Sequence, residues 1–265
     1  MRKYLAVGRI TFANLLQYRW DFIIAQARTI LLLLTLYFLW TTVFKSKITF
    51  FGFTKDQIVT YIFLAAIIRQ FVLTSATDQI AGELQSWGKF FSYLLRPIGY
   101  FRFWFTVDLV YKVTSLIFIF FITAIMLNIL NINLTWSTEP SRFLLFAVSI
   151  FIASLIYFYI GILISTTGFW TSQVWGLQFL VALILEFSAG TFFPIDVLPV
   201  KMQEVIKLTP FPYLLYYPIS ILLEKLSLFE SLKVIIIATA WLAAVFIITK
   251  FIWRRGLKVY EAWGG

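Results

Sequence analysis

The side chains able to do chemistry in this chain are few, and their absences narrow the reading first. There is no histidine and no cysteine. A Ser/His/Asp set, imidazole acid–base catalysis, thiol nucleophiles, thiolate metal sites and disulfides are therefore excluded. Acids within the apolar runs are too few for metal-assisted transfer chemistry, so no metal site is expected. No G-x-x-x-x-G-K-[ST] phosphate loop occurs. The one Gly-Lys pair, Gly88-Lys89, is followed by Phe90 and lacks the earlier glycine. The twelve glycines are scattered, with no dinucleotide fingerprint. The chain is expected not to be an enzyme and to bind no cofactor of its own.

What remains is a handful of charges in unusual places. Arg69 and Glu186 each stand within a long apolar run. A charge at the centre of a membrane helix costs roughly 2.5–3.5 kcal/mol on insertion scales, so neither is expected to face lipid. They either line a translocation path or pair across helices, since at ~1.5 Å per residue their depths differ by only about 6 Å. Asp108 and Lys112 are four apart and can pair on one helix face. The longest polar interruption in the first half is DQIAGELQSWGKFFSYLLRP, residues 78–97, which carries acids, bases, Gly82 and Gly88.

The elements that position these residues follow from composition. Hydrophobic residues make up 61% of the chain and charged residues 13%. Soluble domains carry about a quarter charged residues, so this is an integral membrane protein, all-α, of one domain. The net charge of +10 fits basic residues crowding the cytoplasmic ends of membrane helices better than nucleic-acid binding. The first apolar run has spanning length and no small-residue cleavage site, so no signal peptide is expected.

Along the chain, residues 1–20 read as an amphipathic interfacial helix, with Leu5, Phe12, Leu16 and Trp20 near one face. Six spans follow, at about 22–44, 58–77, 106–130, 143–166, 173–193 and 232–253. Gly161 and Ser165 form a small-xxx-small pair that lets another helix come close. Residues 194–228 are punctuated by Pro194, Pro199, Pro210, Pro212 and Pro218. Their apolar pieces are too short to cross the hydrocarbon and suit re-entrant or interfacial helices. Basic residues favour both termini on the cytoplasmic side, which also places residues 78–97 there.

These residues resemble the permease subunits of bacterial ABC exporters of the type-2 class. One shared feature is an acidic residue, then Gly-x-Leu, then Leu-Leu-x-Pro: here Asp78, Gly82, Leu84, Leu94, Leu95 and Pro97. A second is SAGTFFPIDVLP, residues 188–199, similar to a small-Gly-x-x-Phe-Pro-x-x-x-Leu-Pro signature that includes Gly190, Pro194 and Pro199. A third is the re-entrant segment before the last span, with Pro210 at its turn. The frequent Glu-Arg pair before the glycine is replaced by Gln79 and Ile80. The resemblance implies that residues 78–97 hold a coupling helix, with Asp78, Gly82, Glu83, Leu84 and Gly88 contacting an ATPase. It implies two ATPase subunits that bind ATP and Mg, a second permease, identical or homologous, and a place in the bacterial cytoplasmic membrane. A structural or sensory membrane subunit and a lipid-modifying enzyme remain the competing readings.

Overall fold

The computed structural model describes residues 2–46, 48–86, 90, 92–93, 95 and 98–262, with side chains described as far as Val259. The molecule is almost entirely helical. Helix α1 (Arg2–Gln17) leads directly into α2 (Arg19–Val43). A two-residue-strand hairpin follows, β1 (Thr49–Phe50) against β2 (Phe53–Thr54), in register Thr49↔Thr54 and Phe50↔Phe53. Its turn places both Phe51 (φ 47°) and Gly52 (φ 77°) in the left-handed region, the requirement of a type I′ turn. Thr54 then caps α3 (Lys55–Val72): its hydroxyl accepts from Gln57 N–H, and Gln57 Oε1 accepts from Thr54 N–H. This reciprocal pair satisfies two donors that a helix start leaves open.

Further helices with described bounds are α4 (Gln79–Gln85), α5 (Tyr100–Ile129), α6 (Pro140–Ser165), α7 (Trp175–Ser188), α8 (Val200–Lys207), α9 (Tyr216–Leu222) and α10 (Leu228–Ala262). Short 3-10 turns occupy Thr166–Phe169, Ile195–Val197 and Phe211–Tyr213. Among the described residues, four helical stretches are long and apolar enough to cross a membrane: Arg19–Val43, Tyr100–Ile129, Pro140–Phe169 and Leu228–Val259.

The second and fifth expected spans are shorter than their apolar runs. Helix α3 holds Lys55, Asp56 and Arg69 within 18 residues and stops at Val72, five residues before the expected end. Residues 73–78 are non-helical because hydroxyl side chains capture the backbone there: Thr77 N–H donates to Ser75 Oγ, and Ser75 Oγ lies 2.9 Å from Thr77 Oγ1. Helix α7 has only 14 residues. Within 78–97 helix α4 covers Gln79–Gln85, residues 90 and 92–93 are also helical, and Gly88, Leu94 and Pro97 lie outside the described residues.

Among the described residues, two apolar cores hold the bundle together. The larger surrounds α3 and joins α2, α6, α9 and α10. The smaller lies at the α4 end, where Ile80, Leu84, Phe90, Trp104, Phe158 and Trp253 meet. The other faces of α2, α5, α6 and α10 expose leucine, isoleucine and phenylalanine, the pattern of helices with hydrocarbon for solvent. Gly161 and Ser165 do receive a close neighbour, but it is the 73–78 turn rather than a helix. Ser165 Oγ donates to Thr77 O at 2.7 Å, and a Cβ on Gly161 would collide with Thr77 Oγ1.

Replacing Gly161 with Ala therefore overpacks this contact. The expected loss is about 1–3 kcal/mol, seen as a lower thermal unfolding midpoint in detergent. Gly176→Ala, where no atom lies within 4 Å, is the control and is expected to change little.

Candidate functional site

The break between α3 and α4 is fastened by one carboxylate. Asp108, on the third turn of α5, accepts from Ser75 Oγ at 2.6 Å and from Ala76 N–H at 3.2 Å. Its other oxygen lies 3.1 Å from Lys112 Nζ, one turn further along α5. Lys112 in turn donates to Ser154 Oγ at 3.0 Å and to Ser154 O at 3.4 Å, reaching α6. Both charged side chains are at most 2% exposed. The i,i+4 spacing of the pair is legible in the sequence. Its partners Ser75 and Ser154 are not, because only the folded chain brings those serines to α5.

Arg69 and Glu186 meet as an ion pair between the last turn of α3 and the last turn of α7. Each side chain is about three-quarters buried (23% and 25% exposed). Arg69 Nε is buried without a hydrogen-bond partner among the described residues. Beside the pair runs a polar cluster that sequence reasoning passed over. Gln70 Nε2 donates to Gln26 Oε1 and Thr29 Oγ1, both at 3.0 Å, and Thr74 Oγ1 donates to Gln70 Oε1 at 3.1 Å. The signal was present as polar residues at helical spacing, Gln26/Thr29 and Gln70/Thr74, inside otherwise apolar runs.

These groups line connected hollows. A cavity of about 930 Å³ lies between α2, α3, α5 and α7, with Arg28, Gln26, Arg69, Gln70 and Glu186 on its walls. A second, of about 400 Å³, lies between the 73–78 turn, α6 and α7, and shares Leu73, Thr74 and Glu186 with the first. A cleft of about 490 Å³ continues from it past Asp78, Gly82 and Gln85. Gln178 closes one wall, donating to Asp78 O at 3.0 Å and Ser165 Oγ at 3.3 Å. Helix α7 contributes its polar residues to this interior, and of its 14 residues only Leu185 and Ser188 are buried.

The five expected coupling residues take different positions. Asp78 caps α4, its carboxylate accepting from Gln79 N–H at 3.0 Å. Asp78 is exposed, yet the nearby protein partly desolvates its carboxyl and raises it above the ordinary aspartate value, although the Gln79 bond opposes this. Gly82 is exposed, with open space where a Cβ would stand. Glu83 accepts from Tyr100 OH at 3.0 Å, tying α4 to the start of α5. Leu84 is buried in the smaller core. Gly88 lies outside the described residues.

The signature at 188–199 shapes the opposite end of the molecule. Gly190 has φ +84° and packs against Tyr61, whose hydroxyl donates to Gly190 O at 2.6 Å. Only glycine adopts that conformation without strain. Pro194, Pro199 and Pro210 each stand immediately before a helical segment. Proline removes no hydrogen bond there, because a helix start has no acceptor for the missing donor. Tyr216 OH then bridges both oxygens of Asp196, at 2.9 and 2.8 Å.

Membrane-length helices thus surround a polar interior. Residues 30–264 match the family model described as ABC-2 family transporter protein, and the chain belongs to that family. It is thus a multi-pass membrane protein and the permease component of an ABC transporter. A comparison with curated proteins gave no match.

Lys112→Met leaves the Asp108 charge buried with no counter-charge. The expected cost is about 3–5 kcal/mol. Ser154→Ala removes one hydrogen bond and is expected to cost about 1 kcal/mol. Denaturant unfolding in micelles compares the two, and equal effects would show that the charge pair carries no special burden.

Proposed function

We propose that this permease works in an ATP-driven exporter and forms a translocation path at the interface with a second permease, identical or homologous. The observation that carries this is α7: its outer face is bare, while its inner face walls a polar cleft containing Arg69 and Glu186. A polar path open on one side and bounded by an unpartnered helix suits completion by another subunit. In this reading α3 and α7 complete six crossings in the bacterial cytoplasmic membrane. The α4 end and both termini are cytoplasmic, and α1 lies on the inner leaflet.

Helix α4 receives the push of two ATPase subunits as they close on ATP and Mg. The exposed Gly82 and Asp78 offer the docking surface, whereas Glu83 and Leu84 pass the force inward through Tyr100 and the smaller core. The Asp108–Lys112 pair binds the turn behind α4 to α5 and α6, so displacement of α4 reaches the cleft walls. Only differential contacts between the two states can drive the change.

Gentle-detergent purification of the tagged chain from its native membrane, followed by mass spectrometry, tests the assembly. A stoichiometric ATPase carrying a phosphate loop is expected, and a permease that comes out alone overturns the reading. Within the assembled complex, ATP should change the spin-label distance between α2 and α7 in the wild type and in Gly82→Ala. Gly82→Pro breaks α4 at a cost of about 3 kcal/mol or more and should abolish that change. An assembled Gly82→Pro complex that still moves on ATP excludes the coupling role of α4.

A further inference from the structure

We propose that the cavity between the 73–78 turn, α6 and α7 is a binding site for an organic cation with an apolar body. That such a cation is exported cargo rests on the exporter reading; that it binds does not. The cavity, about 400 Å³, falls within the range of small-molecule sites, about 300–1,000 Å³. Its charged lining is entirely acidic: Asp78 stands at one end and Glu186 at the other, and no lysine or arginine lines it. In a chain with 22 basic and 12 acidic residues, a hollow walled by carboxylates alone runs against the overall balance.

The two carboxylates differ. Glu186 gives one oxygen to Arg69, which approaches from the neighbouring cavity. Asp78 meets no basic side chain among the described residues, and its carboxylate accepts from the Gln79 N–H. Asp78 is exposed to the cleft, but the protein around it partly desolvates and raises its carboxyl, and the nearby Asp108 charge adds to the rise; a bound cation would relieve both effects. Between the acids lies an aromatic wall. Trp175 and Phe179, one turn apart on α7, stack with ring centroids 5.7 Å apart and planes inclined by 16°. The Trp175 side of that stack is open, the residue being 76% exposed. Aromatic faces beside carboxylates attract a cation through the ring quadrupole and direct charge together. An anion would find neither a basic side chain nor a compensating charge.

Access and consequence follow from shared residues. Asp78, Trp175 and Gln178 also line the cleft that runs out past Gly82 and Gln85, so the site is reached from the α4 end. A cation seated there touches Asp78, the residue that caps α4. Occupancy and the coupling helix therefore meet at one carboxylate.

The test uses the full chain in phosphatidylcholine nanodiscs, with tetraphenylphosphonium as probe and tetraphenylborate as the matched anion. Equilibrium dialysis should show saturable binding of the cation and at least tenfold weaker binding of the anion. Asp78→Asn should weaken the cation at least tenfold, and Trp175→Ala about fivefold. Should Asp78→Asn fail to fold, Trp175→Ala decides, since that ring is exposed. Equal binding of the two ions, no saturable binding, or folded variants that bind like the wild type each overturn the site. Cation binding by a chain that recruits no ATPase would leave the site standing and remove the exporter reading. A co-purifying ATPase with no cation binding would do the reverse.

Discussion

The architecture depends on the Asp108 carboxylate. Where α3 ends, the backbone of residues 73–78 leaves the helix, and Ala76 and Thr77 are buried there, so their polar groups need partners within the protein. Asp108 accepts from Ser75 and Ala76 and is itself held by Lys112, which reaches Ser154 on α6. A buried ion pair contributes little net stability, because desolvation offsets much of the attraction. Its contribution is to make one arrangement of three elements far better than its neighbours. With that joint fixed, α4 leaves the bundle at a set angle and Thr77 settles against Gly161.

The interior cleft follows from the same constraint. Between helices in hydrocarbon, apolar side chains gain little from each other over lipid, so packing and polar contacts decide association. The polar contacts here are unevenly spread. Many of them lie along one line: Asp108 and Lys112, then Ser75 to Thr77, Gln178 and Ser165, then Arg69 with Glu186 and the Gln70 cluster. Helix α7 is attached to the bundle chiefly along this line, through Gln178 and Glu186, and shows its apolar residues outward. An element held by a few polar contacts is easier to shift than one embedded in a core, as α3 is. That difference suits a wall that moves beside one that stays.

Much of this was legible in the residues, and the exceptions have physical causes. The four long helices lie within a few residues of the runs that announce them, because length and apolarity suffice to define a span. The early stop of α3 could not be read, since Thr74, Ser75 and Thr77 are tolerated in membrane helices until a partner such as Asp108 offers the backbone something better. The small pair Gly161 and Ser165 correctly announced a close approach but not its occupant. The hairpin at residues 49–54 was hidden by its shortness, although Phe51-Gly52 is its turn. Among the candidate site residues, Asp78 and Gly82 stood out as members of the polar interruption at 78–97 and of the motif that resembles the family. The turn they adjoin drew its importance from α5, thirty residues away, which no local pattern conveys.

The shortness of α7 has a consequence for the lipid around it. Fourteen residues at ~1.5 Å each reach about 21 Å, whereas the hydrocarbon layer is about 30 Å thick. The residues flanking it are non-helical, so the mismatch is not made up by longer helix. In the proposed six-crossing arrangement, lipid beside α7 thins, drawing headgroups and water toward both ends of the helix. The adjoining α3, 18 residues long and charged in its first and last turns, extends the same depression. In that arrangement thinned membrane lies along the side where the polar cleft is least enclosed, and the barrier to a charged group is lowest there before any subunit moves.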